Sequence, residues 1–414
     1  MSSTAPVGHA GRGVADTVPG EDGVLAHPVL SPDDTRKARV SGTHRVLAPA
    51  ETLRRIEPLL PVVGITRLAD VTWLDDIGIP VHQAIRPGSR TISVSQGKGL
   101  THELARISAA MESIESWHAE RLDPGEVTAT VADMERSCGY RVRDLPLEPR
   151  HHLWPGVELE WTAARRLDDG ADTFLPTELL RLDGRVRDTW MPPLFVQNSN
   201  GLAAGNSVAE AALHGLYEVI ERDCLARAGT GTSPALDLTT VDGPAREPLE
   251  LMEAAEVEVR VEVLPSPTGL ACFLATIWSE EFPVLFAGAG AHLDRDVALC
   301  RALTEAAQSR ATQIAGARDD LTTGAYRRAA AGWSGPSASL PEAGGVSGVS
   351  GVTYDDIASV RNASLADDLR ITVASVLAVT GRAPLVADHT RPGVGIPVVR
   401  VVCPGLGHET AFTS

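Results

Sequence analysis

Apolar and polar positions alternate in short runs from about residue 50 onward, and this pattern predicts a series of small strands and amphipathic helices. "ETLRRIEPLL" has the spacing of a short amphipathic helix. "ITRLADVT" and "IPVHQAIRP" resemble two strands joined by the turn "LDDIG", and "GIPVVRVVCPGLG" resembles a buried strand that ends at Pro404. We therefore predict an α/β (α+β) fold with mixed sheets and packed helices.

Three stretches depart from this pattern. Residues 1–40 are polar and rich in Gly and Pro, which predicts a flexible N-terminal tail ahead of one globular domain over 41–414. Residues 122–192 are less regular and contain two strand-like runs, "VELEWTAA" and "PTELLRLDG". Near 333–352 the run "SGPSASLPEAGGVSGVSGV" predicts a mobile loop.

Composition narrows the class of protein. The net charge is −17 and no basic run offsets it, so duplex nucleic acid and anionic membranes are not expected as partners. The first residues lack the apolar core of a signal peptide, and no apolar run has the ~20 residues of a membrane span. The five cysteines are widely spaced, which favours reduced thiols and a cytoplasmic location.

The stretch "SQGKGLTHELARISAAMESIE" combines a glycine-flanked lysine, Lys98, with a predicted helix. Its expected buried stripe consists of Leu100, Leu104, Ile107, Met111 and Ile114. Ser108, Glu112 and Glu115 have the same spacing but are displaced by one residue, about 100° around the axis. They would therefore flank the core and line a cleft, although a solvated edge with i,i+4 pairs is the alternative.

Two further helices repeat the plan of a glycine-containing loop followed by Glu-x-x-Glu or Glu-x-x-Gln. They lie in "NSVAEAALHGLYEVIERD", where Asn206 or Ser207 would cap the start, and in "VALCRALTEAAQSR". Their remaining polar positions are Glu210, Glu218, Glu221 and Arg222 on the first helix and Glu305, Gln308 and Arg310 on the second. We expect the three helices to present carboxylates to one place.

A lysine among glutamates suggests a metal–nucleotide site. Mg²⁺ takes oxygen ligands and commonly bridges a few carboxylates to substrate phosphates. Lys98, Arg222 and Arg310 could then neutralise the remaining phosphate charge.

Other known motifs are missing. The sequence has no G-x-x-x-x-G-K-[ST], H-R-D, D-F-G or G-x-S-x-G motif. No H-E-x-x-H or comparable ligand spacing occurs. We therefore interpret His82, His102, His118 and His214 as ordinary surface or core residues.

In the stretches that contain these residues, the sequence resembles the YcaO family. The matching stretches are "DVTWLDDIGIPVHQAIRP", "VSQGKGLTHELARISAAMESIE", "NSNGLAAGNSVAEAALHGLYEVIERD", "ALTEAAQSRATQIAGARDD" and "GIPVVRVVCPGLG". They run in family order from about residue 65 to 407. The resemblance implies a catalytic domain over 41–414 that uses ATP and Mg²⁺ to phosphorylate the oxygen of a peptide backbone amide.

The resemblance also implies roles for individual residues, with proton-transfer groups left unassigned. The residues expected to bind nucleotide are Lys98, Ser108, Asn206, Glu210, Arg222, Gln308 and Arg310. The residues expected to bind metal are Glu112, Glu115, Glu218, Glu221 and Glu305.

The branch of the family is open at this point. The chain ends "CPGLGHETAFTS", without the proline-rich tail common in azoline-forming members. It looks most like stand-alone members that form thioamides with a TfuA partner, which implies a precursor peptide, a sulfide donor and a homodimer. The alternatives are an azoline-forming cyclodehydratase, an amidine-forming enzyme, and a non-catalytic scaffold that binds a peptide or partner.

Overall fold

The computed structural model describes residues 36–184, 192–229, 233–316 and 351–407. The helices are α1 (Pro49–Ile56), α2 (His102–Ala119), α3 (Val131–Glu135), α4 (Thr177–Leu180), α5 (Val208–Ala228), α6 (Arg246–Ala254), α7 (Arg295–Ala315) and α8 (Leu365–Thr380). The strands are β1 (Ala38–Val40), β2 (Thr43–Arg45), β3 (Arg67–Asp70), β4 (Val81–Ile85), β5 (Val94–Lys98), β6 (Val127–Thr130), β7 (Glu158–Arg166), β8 (Asp172–Pro176), β9 (Leu202–Ala204), β10 (Glu258–Val263), β11 (Ala271–Trp278), β12 (Phe286–His292), β13 (Leu385–Asp388) and β14 (Val398–Val402).

These strands form four sheets in the described part of the chain. A six-stranded sheet has the order β6-β7-β13-β14-β9, with β8 also paired to β7. Two three-stranded sheets, β3-β4-β5 and β10-β11-β12, and the β1-β2 hairpin complete the set. All pairings between these strands are antiparallel. The α+β class predicted from the sequence is confirmed.

The two three-stranded sheets each lead directly into a long helix that packs on the last strand. The close contact between the last strand and the helix requires glycine in both units. A Cβ on Gly97 of β5 would lie 2.0 Å from the backbone nitrogen of Ala109 in α2. A Cβ on Gly288 of β12 would lie 2.2 Å from the backbone nitrogen of Ala306 in α7. Glycine and alanine thus let helix and strand backbones approach more closely than larger side chains would allow.

The same packing corrects part of the predicted stripe on α2. Ala105 and Ala109 are fully buried against β5, whereas Leu100 and Leu104 are only partly buried and face a cavity. Small residues occupy the closest contact because the glycine strand leaves no room for leucine. In addition, Gly97 and Lys98 belong to strand β5, not to a loop, and Thr101 caps α2 by accepting a hydrogen bond from the Leu104 backbone nitrogen.

Helix α5 lies at the centre of the largest hydrophobic core cluster described. Ala212, Leu216 and Ile220 are completely buried. They pack with residues of α8, β12 and β14. The helix is capped by Ser207, whose hydroxyl accepts from the Glu210 backbone nitrogen. This buried position holds the polar side of α5 at a fixed place between α2 and α7.

Several expectations from the sequence need correction. Residues 38–40 of the predicted tail form β1, and Lys37 makes a buried ion pair with Asp368 of α8, because the tail's apolar and charged positions find partners far along the chain. In the described part of the middle segment, β7 is nine residues long and joins three other strands, whereas the strand-like run "PTELLRLDG" contains helix α4. Residues 1–35 and most of the predicted mobile loop near 333–352 lie outside the described residues.

No helix in the described ranges is both long and apolar enough to cross a membrane.

Candidate active site

A cavity of about 740 Å³ lies where α2, α5 and α7 converge, beside β2 and the end of β5. Eleven of the twelve predicted site residues line it. They are Lys98, Ser108, Glu112, Glu115, Asn206, Glu210, Glu218, Glu221, Arg222, Glu305 and Gln308. The three helices that share the Glu-x-x-Glu or Glu-x-x-Gln plan therefore do bring their carboxylates together.

Arg310 is the exception, and its assignment as a nucleotide-binding residue is corrected. It is buried on another side of α7, where its Nε donates to both carboxylate oxygens of Asp75 at 2.9 and 3.1 Å. Its Nη1 donates to the hydroxyl of Ser279 at 2.7 Å. Five residues from Glu305 correspond to about 140° around the axis, which turns Arg310 away from the cavity. Arg310 anchors the loop after β3 to α7.

Helix α2 supplies two carboxylates that face the cavity. Glu115 Oε1 accepts a hydrogen bond from the Ala204 backbone nitrogen of β9 at 2.7 Å. Removal from water, reinforced by the nearby charges of Glu112 and Glu218, holds the pKa of Glu115 well above its usual value. This wall of the cavity therefore carries negative charge that nearby cations compensate only in part.

Helix α5 supplies further carboxylates to the cavity. Burial raises the pKa of Glu218 to about 7. Glu221 is buried as well, and desolvation together with the charge of Glu305 raises its pKa. Glu221 Oε2 also accepts from the Ala291 backbone nitrogen of β12 at 3.2 Å, which fixes its carboxylate. A divalent cation would favour the ionised form of both groups.

Asn206 and Glu210 form a tight pair at the start of α5. Glu210 Oε1 accepts from the backbone and side-chain nitrogens of Asn206, both at 3.2 Å. Its other oxygen accepts from the Val46 backbone nitrogen at 2.8 Å, and Arg45 of β2 lies 4.0 Å from Oε1. The pair therefore ties the N-terminal hairpin to the cavity wall.

On the opposite wall, α7 and β5 form an ion pair. Lys98 Nζ contacts Glu305 Oε2, with both side chains partly exposed to the cavity. Burial alone would raise the pKa of Glu305, but the Lys98 ammonium and its hydrogen bond lower it. Among the described residues Glu305 is the one side-chain partner of the Lys98 ammonium, which leaves two further donor positions for phosphate oxygens.

The sequence interpretation missed three residues of this site, Arg45, His214 and Arg301. All three line the cavity. Arg301 Nη1 donates to His214 Nε2 at 3.1 Å, and burial beside Arg45 and Arg301 holds the pKa of His214 well below its usual value. Arg301 precedes Glu305 by four residues, so helical spacing could have identified it. Arg45 had no such local signal, since β2 reaches the cavity by tertiary packing.

These groups fit a nucleotide with its metal. Carboxylates with raised pKa values cluster on one side, which matches the oxygen ligands of Mg²⁺. Lys98, Arg222 and Arg301 lie among the lining residues and can pair with phosphate oxygens. The amide of Asn206 and the hydroxyl of Ser108 offer neutral hydrogen-bonding groups beside them.

The sequence matches one family model and several known proteins. The family model described as "YcaO cyclodehydratase", ATP- and Mg²⁺-binding, matches residues 96–407. An uncharacterized protein of Mycobacterium tuberculosis is 42% identical over 302 residues, covering 72% of this chain and 68% of that protein. A protein of Rhizobium leguminosarum bv. trifolii, described as lying in the tfuA 3′ region, is 37% identical over 315 residues, covering 70% and 72% of the two chains.

A solved structure has the same fold. YcaO from Methanopyrus kandleri, bound with AMPPCP and Mg²⁺, superposes with a TM-score of 0.69 at 26% identity, over 90% of this chain and 95% of that one. The family consists of ATP-dependent peptide-modifying enzymes. The chain belongs to the YcaO family, whose cofactors are ATP and Mg²⁺.

Proposed function

We propose that this chain activates a backbone amide of a ribosomally made precursor peptide and installs a thioamide there, together with a TfuA-type partner and a sulfide donor. The observation that carries the proposal is the cavity into which α2, α5 and α7 bring six glutamates beside Lys98, Arg222 and Arg301. Three of these glutamates, Glu115, Glu218 and Glu221, have raised pKa values. ATP supplies the phosphoryl group that converts a poor leaving group, the amide oxygen, into a good one.

In this proposal the chain's own residues bind and orient. Glu112, Glu115, Glu218, Glu221 and Glu305 would hold Mg²⁺. The residues that would contact the nucleotide are Lys98, Ser108, Asn206, Glu210, Arg222, Arg301 and Gln308. The ion pair between Lys98 and Glu305 places a cation beside the carboxylates, so that charge opposing the phosphates is already in position before binding.

The Rhizobium relative in the tfuA 3′ region supports the thioamide branch and a TfuA-type partner. An azoline-forming cyclodehydratase or an amidine-forming enzyme would use the same cavity with a different nucleophile. A non-catalytic scaffold would leave the carboxylate cluster without a use. We propose further that the enzyme is cytoplasmic and homodimeric.

The first experiment is calorimetric titration of ATP into the purified chain with and without Mg²⁺. We expect binding that requires Mg²⁺ and that Glu221→Ala abolishes. The matched control is Glu253→Ala on α6, because that side chain is 78% exposed and lies outside the cavity. Absence of Mg²⁺-dependent binding in the wild-type chain would favour the scaffold.

A second experiment separates the products. A synthetic peptide pool without Cys, Ser or Thr cannot form an azoline, because no side-chain nucleophile is present. We expect the chain, with its TfuA-type partner, MgATP and sodium sulfide, to replace one oxygen by sulfur in such peptides, as read by high-resolution mass spectrometry. Omission of sulfide and Glu221→Ala are the controls. Conversion that occurs only in peptides with Cys, Ser or Thr, with loss of water, would contradict the thioamide assignment.

A further inference from the structure

A second polar cluster lies at the start of α2, and none of its three members lines the ATP cavity. Asp70 ends β3 and is paired in register with His82 of β4. His102 is the first residue of α2. Sheet pairing and the entry into the helix thus bring together three side chains that are 32 residues apart at most and that no local sequence motif connects.

The distances within the cluster are those of ligands around one small ion. His82 Nε2 lies 3.3 Å from His102 Nδ1 and 3.8 Å from Asp70 Oδ1, and His102 Nδ1 lies 3.4 Å from Asp70 Oδ2. In a tetrahedral zinc site with metal–ligand bonds of about 2.0–2.1 Å, neighbouring ligand atoms are about 3.4 Å apart. The two imidazoles and one Asp70 oxygen are therefore close enough to share one ion with small adjustments of the side chains, and a further position is left for water or another ligand.

The surroundings hold the ligand atoms in this arrangement. Asp70 Oδ1 accepts from the Thr72 backbone nitrogen at 3.0 Å and from its hydroxyl at 2.6 Å, which orients the carboxylate and leaves Oδ2 toward His102. Such second-shell hydrogen bonds are typical of metal-binding carboxylates. The side chains of Asp70 and His102 are 46% and 52% exposed, so an ion can enter from solvent.

We propose that Asp70, His82 and His102 form a binding site for a zinc-like divalent transition-metal ion. Two imidazoles and one carboxylate are the donor set that Zn²⁺ takes, while Mg²⁺ prefers oxygen ligands alone. The ion joins β3, β4 and the first turn of α2, the helix that carries Ser108, Glu112 and Glu115 into the cavity. The site therefore braces the sheet against the helix and leaves one coordination position open to solvent.

The test uses the untagged, metal-stripped full chain and Co²⁺ as a spectroscopic probe. Tetrahedral Co²⁺ with nitrogen ligands absorbs strongly in the visible range, whereas Co²⁺ surrounded by six oxygens, as the glutamate cavity would provide, absorbs weakly. We expect a strong visible band, displaced by Zn²⁺, with one metal ion per chain. Saturating Zn²⁺ should raise Tm by about 2–4 °C.

His102→Ala is the principal variant, because it is a surface change that removes one ligand. It should abolish the band and the Tm increase, and weaken Zn²⁺ binding by at least about 10–100-fold. The matched control, His152→Ala, removes another exposed histidine and should behave as the wild type. Glu221→Ala should also retain the band, because it alters only the cavity.

Two results would overturn the proposal. The first is the absence of a strong band and of a Tm increase in the wild-type chain, which would make the cluster a histidine–histidine hydrogen bond only. The second is a band that persists in His102→Ala and disappears in Glu221→Ala, which would place the metal on the cavity carboxylates. Neither result depends on turnover, so the test is independent of the proposed thioamide chemistry.

Discussion

The two units in which a three-stranded sheet leads into a long helix, β3–β5 with α2 and β10–β12 with α7, are built alike but differ in electrostatics. In each, glycine on the last strand lets the helix backbone approach closely. The α2 unit contributes Glu115 to the cavity, and the pKa of Glu115 is raised well above its usual value. The α7 unit contributes Glu305, and the pKa of Glu305 is lowered. A common scaffold therefore carries carboxylates of two different kinds.

The difference comes from the partner that each carboxylate meets. Both are taken out of water, which raises the pKa of any carboxyl group. Glu305 has the Lys98 ammonium in contact, and this contact more than offsets the desolvation. Glu115 has a backbone hydrogen bond and two neighbouring carboxylates. On the α7 side, the charge of Glu305 is therefore already neutralised by Lys98. On the α2 side, a bound cation would still stabilise the ionised form of Glu115.

The largest effect is expected from breaking the close contact within one unit. In Gly97→Val, the new Cβ would lie 2.0 Å from the Ala109 backbone nitrogen, so strand and helix would have to move apart. We expect this overpacking to lower the free energy of unfolding by about 3 kcal/mol or more. Denaturant unfolding measures it. Gly88→Ala is the control, because nothing lies within 4 Å of a Cβ there. Equal stability of the two variants would contradict the packing argument.

The next effect concerns the contact that joins the two units. Arg310→Met leaves Asp75 as a buried carboxylate without its charge partner, and breaking a buried pair in this way costs about 3–5 kcal/mol. We expect a lower Tm but, in protein that remains folded, unchanged affinity for MgATP by calorimetry. Arg370→Met, which removes a 72% exposed arginine on α8, is the control. A selective loss of MgATP binding would show that Arg310 contributes to nucleotide binding after all.

A smaller effect tests the balance on the α7 side. Lys98→Met removes the ammonium that lowers the pKa of Glu305 and one charge available to phosphates. We expect the Kd for MgATP to rise about 10–100-fold, as for loss of a charged hydrogen bond. Calorimetry of folded protein measures it, again with Arg370→Met as the control. An unchanged Kd would show that Lys98 serves only to hold Glu305.

The smallest effect is a pH dependence of the affinity for MgATP, caused by Glu218 of α5, which lies between the two units. Because the pKa of Glu218 is about 7, the affinity for MgATP should rise as the pH increases through 7. Glu218→Gln should flatten that part of the profile, and the difference between the two profiles removes the titration of ATP itself. Identical profiles would contradict the assignment of Glu218 as a metal ligand.

The same shift predicts a trend in stability without ligand. The folded-state pKa of Glu218 is raised from 4.5 to about 7, so its contribution is present below pH 4.5 and is lost as the pH rises through 7. The free energy of unfolding without Mg²⁺ should therefore fall over this range, and less so in Glu218→Gln. Denaturant melts at several pH values measure the trend, and an equal decline in both proteins would contradict it.

Periodicity predicted which residues line the cavity where the signal was local. Glu218 and Glu221 are one turn apart, and α5 brings both to the cavity. On α7, Gln308 lies one turn from Glu305, whereas Arg310 lies about 140° from Glu305 around the axis. The same spacing could therefore have separated the two residues, although the partner of Arg310, Asp75, lies far away in the sequence.

The predicted stripe on α2 was right at Met111 and Ile114, which are buried, and wrong at Leu100 and Leu104. The burial of Ala105 against Gly97 depends on strand β5, which spacing within the helix does not reveal.

Residues that come together through long-range strand pairing could not be predicted from the sequence. Arg45 reaches the cavity because β2 packs beside α5, and the cluster of Asp70, His82 and His102 depends on the β3–β4 register. The His82 and His102 ring nitrogens lie 3.3 Å apart although 20 residues separate them in the chain. No fixed spacing could have indicated that contact.

The β4–β5 pairing has a practical consequence for where this chain can be cut. The family match begins at residue 96, inside β5, while His82 in β4 is paired with Gly97. A fragment cloned from that boundary would lose β3 and β4, expose the backbone of β5 as an open edge, and lack Arg45 from the cavity wall. Expression trials should therefore begin ahead of Arg36, which pairs with Ser364 next to the buried ion pair between Lys37 and Asp368. Among the described residues, these are the earliest contacts between the start of the chain and the rest of the molecule.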